Sequence, residues 1–184
     1  NLETEPIINQ VNCSHFDSDM ARSELFGHEK GSFTGALKNK EGWIEVSENG
    51  LLILDEIGEL PPDCQAKLLT VIEDKKYHRV GDTKIKQLNN ICILGTTNRN
   101  ESEMRNDFWN RFLTIKIPPL YQRRGDILYY ISAKNIEIIK YLYSWEILAI
   151  LAHNWPGNVR EVDRVMISMK TKRIILLLLS LSPL

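Results

Sequence analysis

The sequence predicts an α/β fold built on a parallel sheet with helices on both faces. Two short aliphatic runs, Leu51–Asp55 (LLILD) and Ile91–Thr97 (ICILGTT), end abruptly in polar residues, and an amphipathic stretch, Pro62–Asp74, lies between them. Continuous apolar runs of this length signal strands buried on both faces, which is the habit of parallel sheets. The third observation is that acids and hydroxyls crowd the carboxyl ends of these strands, where open parallel sheets meet their ligands.

The elements follow in order. Pro6–Cys13 reads as a short strand around Ile7, Ile8 and Val11, with Asn12 at its end. Ser18–Phe26 is helical, with Met20, Leu25 and Phe26 apolar, and a glycine-containing loop follows until Gly42–Val46 returns the chain. In that loop Gly31-Ser32-Phe33-Thr34-Gly35-Ala36 is bracketed by two residues that tolerate positive φ, so a tight reversal either pushes Phe33 and Thr34 outward or tucks Phe33 into a core. After the strand at Leu51–Asp55, proline near the first turn and Leu68, Leu69, Val71 and Ile72 on one flank mark Pro62–Asp74 as a helix packed on the sheet. Gly81-Asp82 between short alternating segments makes Tyr77–Leu88 a hairpin. Leu113–Ile117 reads as the last strand, closed by Pro118-Pro119, and Asp126–Leu142 and Trp145–Asn154 as two helices. Asn158 is placed to cap a further helix with Val159, Val162 and Met166 on its apolar face.

Composition narrows the function. Of 184 residues 43% are hydrophobic, as in an ordinary globular protein of one domain or one with an appendage. With 23 basic and 24 acidic residues the net charge is -1, which excludes a bulk field for nucleic acid backbones. Cys13, Cys64 and Cys92, and His15, His28, His78 and His153, are scattered without metal-ligand spacing, which fits reduced thiols in a cytoplasmic protein. Asn1–Glu5 lacks the features of a signal peptide, and Ile174–Leu179 falls short of the ~20 apolar residues of a membrane span.

Candidate site residues sit at the strand ends. Asp55 and Glu56 close the clearest strand, and Thr96, Thr97 and Asn98 close another. Asn12 suits either a ligand contact or a turn, and Thr96 and Thr97 either a site or a cap. Arg105 and Arg111, six apart, would lie on different faces of one continuous helix and suit either a site or surface ion pairs.

Four blocks together, Glu24–Ala36 (ELFGHEKGSFTGA), Asp55–Pro61 (DEIGELP), Thr97-Asn98 and Trp155–Glu161 (WPGNVRE), closely resemble the sigma-54-dependent transcriptional activators, a branch of the AAA+ ATPases. The resemblance covers roughly residues 6–166. It implies an AAA+ P-loop NTPase type core at 1–120, a helical lid at 121–166, and a tail of other origin at 167–184. It also implies ATP and Mg²⁺ as cofactors, with Asp55 holding the metal, Glu56 deprotonating a water, and Asn12 restraining Glu56. Thr97 and Asn98 would read the γ-phosphate or position the attacking water, Arg160 would reach the phosphates from the lid, and one or both of Arg105 and Arg111 would act on a neighbouring subunit's nucleotide. Residues 31–36 would grip sigma-54 and its RNA polymerase, within a homo-oligomeric ring, usually a hexamer. DNA would be met only through a domain absent here. Ser32 stands where the family has alanine, the stretches between Asn98 and Arg105 and between Arg111 and Pro118 are short, and so is the lid. The phosphate-cradling G-x-x-x-x-G-K-S/T does not occur in these residues. The expectation is therefore a fragment of an ATPase or, alternatively, a degraded, non-catalytic sigma-54-binding module.

Overall fold

The computed structural model describes residues 7–140 and 142–181, with backbone alone at 135–138 and 170–181. Pro6, the expected start of the first strand, lies outside the described residues. The chain divides into two compact units, Asn1–Thr114 and Ile115–Leu184, each with its own hydrophobic core.

In the first unit, β1 (Ile8–Asn12), β2 (Leu51–Asp55) and β5 (Cys92–Gly95) form a parallel sheet in the order β1-β2-β5. Ile8 lies opposite Leu51 and Leu51 opposite Cys92, so Asn12 and Asp55 end side by side. Strand residues alternate between faces, and Leu52 and Leu54 are wholly buried on one of them. Against that face pack Leu25 and Phe26 of α1 (Ser18–Phe26), and Cys64, Leu68 and Val71 of α3 (Pro62–Asp74). The spacing of those last three residues puts them on one stripe of α3, and each large side chain buried there contributes about 1.5–3 kcal/mol. The other face is less covered, with Ile8 and Leu94 58% and 51% exposed.

The chain leaves α1 at Gly27 and returns through the short α2 (Trp43–Val46), so residues 27–42 form a first arm. A second arm follows α3, where β3 (Lys76–Tyr77) pairs antiparallel with β4 (Lys86–Gln87). The expected hairpin is thus present, laddered only at its base. Two expectations change. Leu113–Ile117 pairs with no strand, and Leu113, Ile115 and Ile117 are 91%, 79% and 74% exposed. Alternating apolar residues describe a face, yet a strand also needs a neighbour to take its backbone hydrogen bonds, and the described residues supply none here. The arginine segment is not one continuous helix either. Only α4 (Asn106–Trp109) forms, and Arg105 and Arg111 lie outside it.

The second unit packs α5 (Gly125–Lys140), α6 (Ser144–Ala152) and α7 (Asn158–Leu181) around Leu120, Ile127, Ile131, Ile150, Trp155 and Val162. Asn158 opens α7 without capping it. Its φ is 50°, and its Oδ1 accepts the Leu120 backbone N–H at 2.7 Å. Glu161 does the capping by accepting the Gly157 N–H at 2.8 Å, and it also meets His153 Nε2 at 3.0 Å. α7 runs on past Met166, so the compositional change there coincides with no change of secondary structure. Among the described residues no helix is long and apolar enough to cross a membrane.

Candidate functional site

The carboxyl ends of the three parallel strands build the first part of the site. Asp55 Oδ2 accepts a hydrogen bond from Gln10 Nε2 at 2.5 Å, and Oδ1 accepts one from Thr96 Oγ1 at 3.1 Å. Both donors are neutral, and the two bonds leave lone pairs of the carboxylate oxygens open. Thr96 also ties down the turn after the strand, its Oγ1 accepting the Glu56 N–H at 3.3 Å and its carbonyl the Ile57 N–H at 2.8 Å. Glu56 pivots there in the left-handed region, φ 54° and ψ 46°. That conformation is costly for a residue with a Cβ and turns the chain sharply away from the strand. No partner among the described residues engages the Glu56 carboxylate.

The other expected residues fall into place unevenly. Asn12 ends β1 beside Asp55, but its Oδ1 is taken by the backbone N–H and hydroxyl of Ser14, at 2.9 and 2.7 Å. The structure gives it no bond to Glu56. Thr97 Oγ1 accepts the Arg99 N–H at 3.1 Å and lies so close to Gly58 that a Cβ there would sit 2.6 Å away. Asn98 is exposed in the bend that follows. Arg105 pairs with Asp107 at 2.6 Å and Arg111 with Glu73. Arg160, in the other unit, is exposed on the first turn of α7. Beneath the strand ends Cys13 is buried, and burial together with the Asp55 charge pushes its thiol up to about 12, so it stays neutral. No cluster of three metal-ligating side chains occurs among the described residues.

The first arm carries the second part. At its base His28 exchanges backbone hydrogen bonds with Lys40 at 3.0 and 2.9 Å, which closes the arm at its neck. Gly31 and Gly35 take φ 82° and 105°, and the Gly31 N–H meets the Ala36 carbonyl at 2.8 Å, so the hexapeptide is a closed reversal. Ala36 points inward and Thr34 is exposed. Phe33 is 45% exposed, with one edge on the His28 ring at 5.0 Å, so it is presented at the surface and not tucked into the core.

The two arms are fastened together. Glu29 N–H bonds the Val80 carbonyl at 3.0 Å, Val80 N–H bonds the Gly27 carbonyl at 2.9 Å, and Ser32 packs directly on Gly81. The Ser32 hydroxyl has no partner in this contact. Beneath lies a charge hub. Arg79, 8% exposed, forks onto Glu45 with bonds of 2.9, 3.0 and 3.2 Å and reaches Glu29 at 3.1 Å. Lys86 adds a bond to Glu45 at 2.6 Å. Burial works against the Glu45 charge, but its bonds from Lys86, Tyr77 and Arg79 outweigh it and hold the carboxyl below its usual range.

Sequence reasoning passed over Gln10, Glu45, Arg79 and Lys86. Gln10 was within reach, because two-residue periodicity puts it on the strand face of Asn12. The hub carries no local signal, since its members lie 34 and 41 residues apart.

Comparison with known proteins sets this geometry in context. A family model described as the sigma-54 interaction domain matches residues 2–118. The chain is 39% identical over 170 residues to nitrogen fixation protein AnfA of Azotobacter vinelandii, covering 84% of this chain and 32% of AnfA. It is 38% identical over 168 residues to the anaerobic nitric oxide reductase transcription regulator NorR of Serratia proteamaculans, covering 83% of this chain and 33% of NorR. It thus spans about a third of the length of these relatives. Among solved structures, NtrX from Brucella abortus in complex with ADP superposes with a TM-score of 0.71 at 27% identity, covering 85% of this chain and 37% of NtrX. Hsp104, at 17% identity and a TM-score of 0.66, covers 97% of this chain and 37% of its own and shares the AAA+ fold.

Proposed function

Because the chain belongs to the sigma-54 interaction domain family, we propose that it is the central part of a sigma-54-dependent regulator that couples ATP hydrolysis to remodelling of sigma-54 RNA polymerase at promoters. The observation that carries the reading is the closed, glycine-bracketed loop at residues 31–36, with Phe33 and Thr34 at the surface, on the same unit as the Asp55-Glu56 strand end. A domain that exposes an aromatic on so constrained a tip gains only when a partner covers it.

The strand-end residues fit the metal-bound nucleotide on one side. Asp55, with lone pairs left open by its two hydrogen bonds, is suited to hold Mg²⁺. Glu56, with an unengaged carboxylate, is suited to orient and deprotonate a water. Thr97 and Asn98 lie one and two residues past Thr96, where they would sense the terminal phosphate. Bound ATP would supply the phosphoryl group and the binding change that moves the loop. Arg105 and Arg111 would exchange Asp107 and Glu73 for a neighbouring copy's nucleotide in a ring, usually a hexamer, and Arg160 would couple the lid to the phosphates. The phosphate-cradling glycine loop is not among these 184 residues. The intact loop at 31–36 also suits a second reading, in which the chain by itself is a non-catalytic sigma-54-binding module.

Measuring ATP hydrolysis and sigma-54 binding side by side separates the readings. In a longer protein that hydrolyses ATP, Glu56→Gln is expected to retain bound ATP and stop turnover, and unchanged hydrolysis would remove Glu56 from its role. Thr34→Ala is expected to spare hydrolysis and abolish sigma-54 binding. Sigma-54 binding by the 184-residue chain without any hydrolysis would support the module.

A further inference from the structure

The sheet register seats Asn12 directly beside Asp55, yet Asn12 gives its side-chain oxygen to the Ser14 turn. The side chain of β1 that does reach Asp55 is Gln10, paired with Ile53 and so one step back along the same sheet face. On the other side of β2 the chain passes Gly95, opposite Leu54, and the next residue, Thr96, turns its hydroxyl onto Asp55. The two donors thus approach from opposite sides of the strand and take different oxygens, Gln10 Nε2 on Oδ2 at 2.5 Å and Thr96 Oγ1 on Oδ1 at 3.1 Å. The last torsion of an aspartate is broad, so a carboxyl group held at one oxygen can still swing, whereas one held at both has its plane fixed.

Thr96 also joins this side chain to the turn beyond it. The same Oγ1 accepts the Glu56 N–H at 3.3 Å, and the Thr96 carbonyl accepts the Ile57 N–H at 2.8 Å. One residue therefore sets the Asp55 carboxyl group and the backbone that carries Glu56 relative to each other.

Stability does not account for these bonds. Gln10 and Thr96 are exposed and Asp55 is half-buried. Where water competes for donor and acceptor alike, a neutral hydrogen bond adds little to a fold. Holding a long glutamine side chain in one rotamer also costs entropy that the bond must offset.

We infer that Gln10 and Thr96 are positioning residues, a clamp that presets the Asp55 carboxyl group for a divalent cation carried by a nucleotide. This rests on the proposed reading of Asp55 as the residue that holds Mg²⁺ and adds the two side chains that orient it. Each acts through Asp55 and needs no contact of its own with metal or nucleotide. Each bond uses one lone pair of its oxygen and leaves another open. Hydrogen-bond partners behind a metal-binding carboxylate typically govern roughly a ten- to hundredfold range of metal affinity.

The clamp is read by calorimetry on the full-length protein, as the gain in affinity for the ATP analogue AMP-PNP when Mg²⁺ replaces EDTA. Gln10→Met and Thr96→Val keep the size of the side chain and remove the donor. Each is expected to weaken AMP-PNP binding about tenfold in Mg²⁺, to leave binding in EDTA unchanged and to shift the melting temperature little. Thr96→Ser keeps the hydroxyl and is expected to keep the wild-type gain. Asp55→Asn is expected to lose the gain altogether. Equal losses in Mg²⁺ and in EDTA would mean that the two residues shape the unit and not the carboxyl group, and would overturn the inference. So would a full gain in both Gln10→Met and Thr96→Val while Asp55→Asn loses it, a result that leaves the metal reading of Asp55 standing. An undiminished gain in Asp55→Asn would remove that reading itself, and the clamp with it.

Discussion

Replacing Arg79 by alanine should loosen the second arm from the first without unfolding the sheet beneath. The guanidinium makes three bonds of 2.9–3.2 Å to Glu45 and one of 3.1 Å to Glu29, with its side chain only 10% exposed. Breaking a buried ion pair by removing one partner costs about 3–5 kcal/mol, mostly because the other charge is stranded. Glu45 would not be stranded, since Lys86 stays 2.6 Å away. The expected loss is therefore nearer ~2–3 kcal/mol, which at 1.4 kcal/mol per factor of ten is roughly a 30- to 140-fold shift toward separated arms. Native-state hydrogen exchange reads this locally through the Glu29 and Val80 amides, whose acceptors lie on the opposite arm. The Thr96 amide, bonded to Leu54 within the sheet, serves as reference. Unchanged protection of Glu29 and Val80 would refute the reasoning, and so would equal acceleration of all three amides, because the hub would then support the whole unit and not the joint.

Further outcomes follow from the same coordinates. Ser32→Ala removes a buried hydroxyl that has no partner at the Gly81 contact, so the arms should hold together more tightly by ~1 kcal/mol, read as slower exchange of the same amides. Acid should release the arms late. The Glu45 carboxyl is held below its usual range when folded, so its contribution is complete above the ordinary carboxylate pKa and disappears as pH falls through the lowered value. A pH titration of Val80 exchange that showed loss above the ordinary carboxylate range would contradict this. Cys92 is exposed whereas Cys13 and Cys64 are buried with thiols pushed up to about 12 and about 11, so at neutral pH an alkylating reagent should modify one cysteine quickly and the others only on unfolding.

What could be read in advance depended on whether the signal was local. Leu51–Asp55 declared itself as a strand because four aliphatic residues in a row have few other uses, and the acids that end it were at once candidates for chemistry. Leu113–Ile117 carries an equally strand-like pattern and forms none, because periodicity specifies which side chains share a face and is silent about who supplies the neighbouring backbone. Asn158 was placed correctly at a helix start, yet its amide serves Leu120, 38 residues away. Gln10 on β1 and Thr96 just past β5 converge on Asp55 through the sheet register, and the register was not in any one segment.

The backbone of Glu56 sets stability and chemistry against each other. At φ 54° any residue with a side chain pays conformational strain of about 1–2 kcal/mol that glycine would not. A search for more stable variants would therefore favour Glu56→Gly, deleting a strand-end carboxylate that no partner among the described residues engages. Variants drifting without selection for turnover should lose glutamate there early and gain thermal stability as they do, whereas lineages that need the carboxylate must find compensation elsewhere. The identity of residue 56 across close variants of this chain is thus a record of whether the site has been in use.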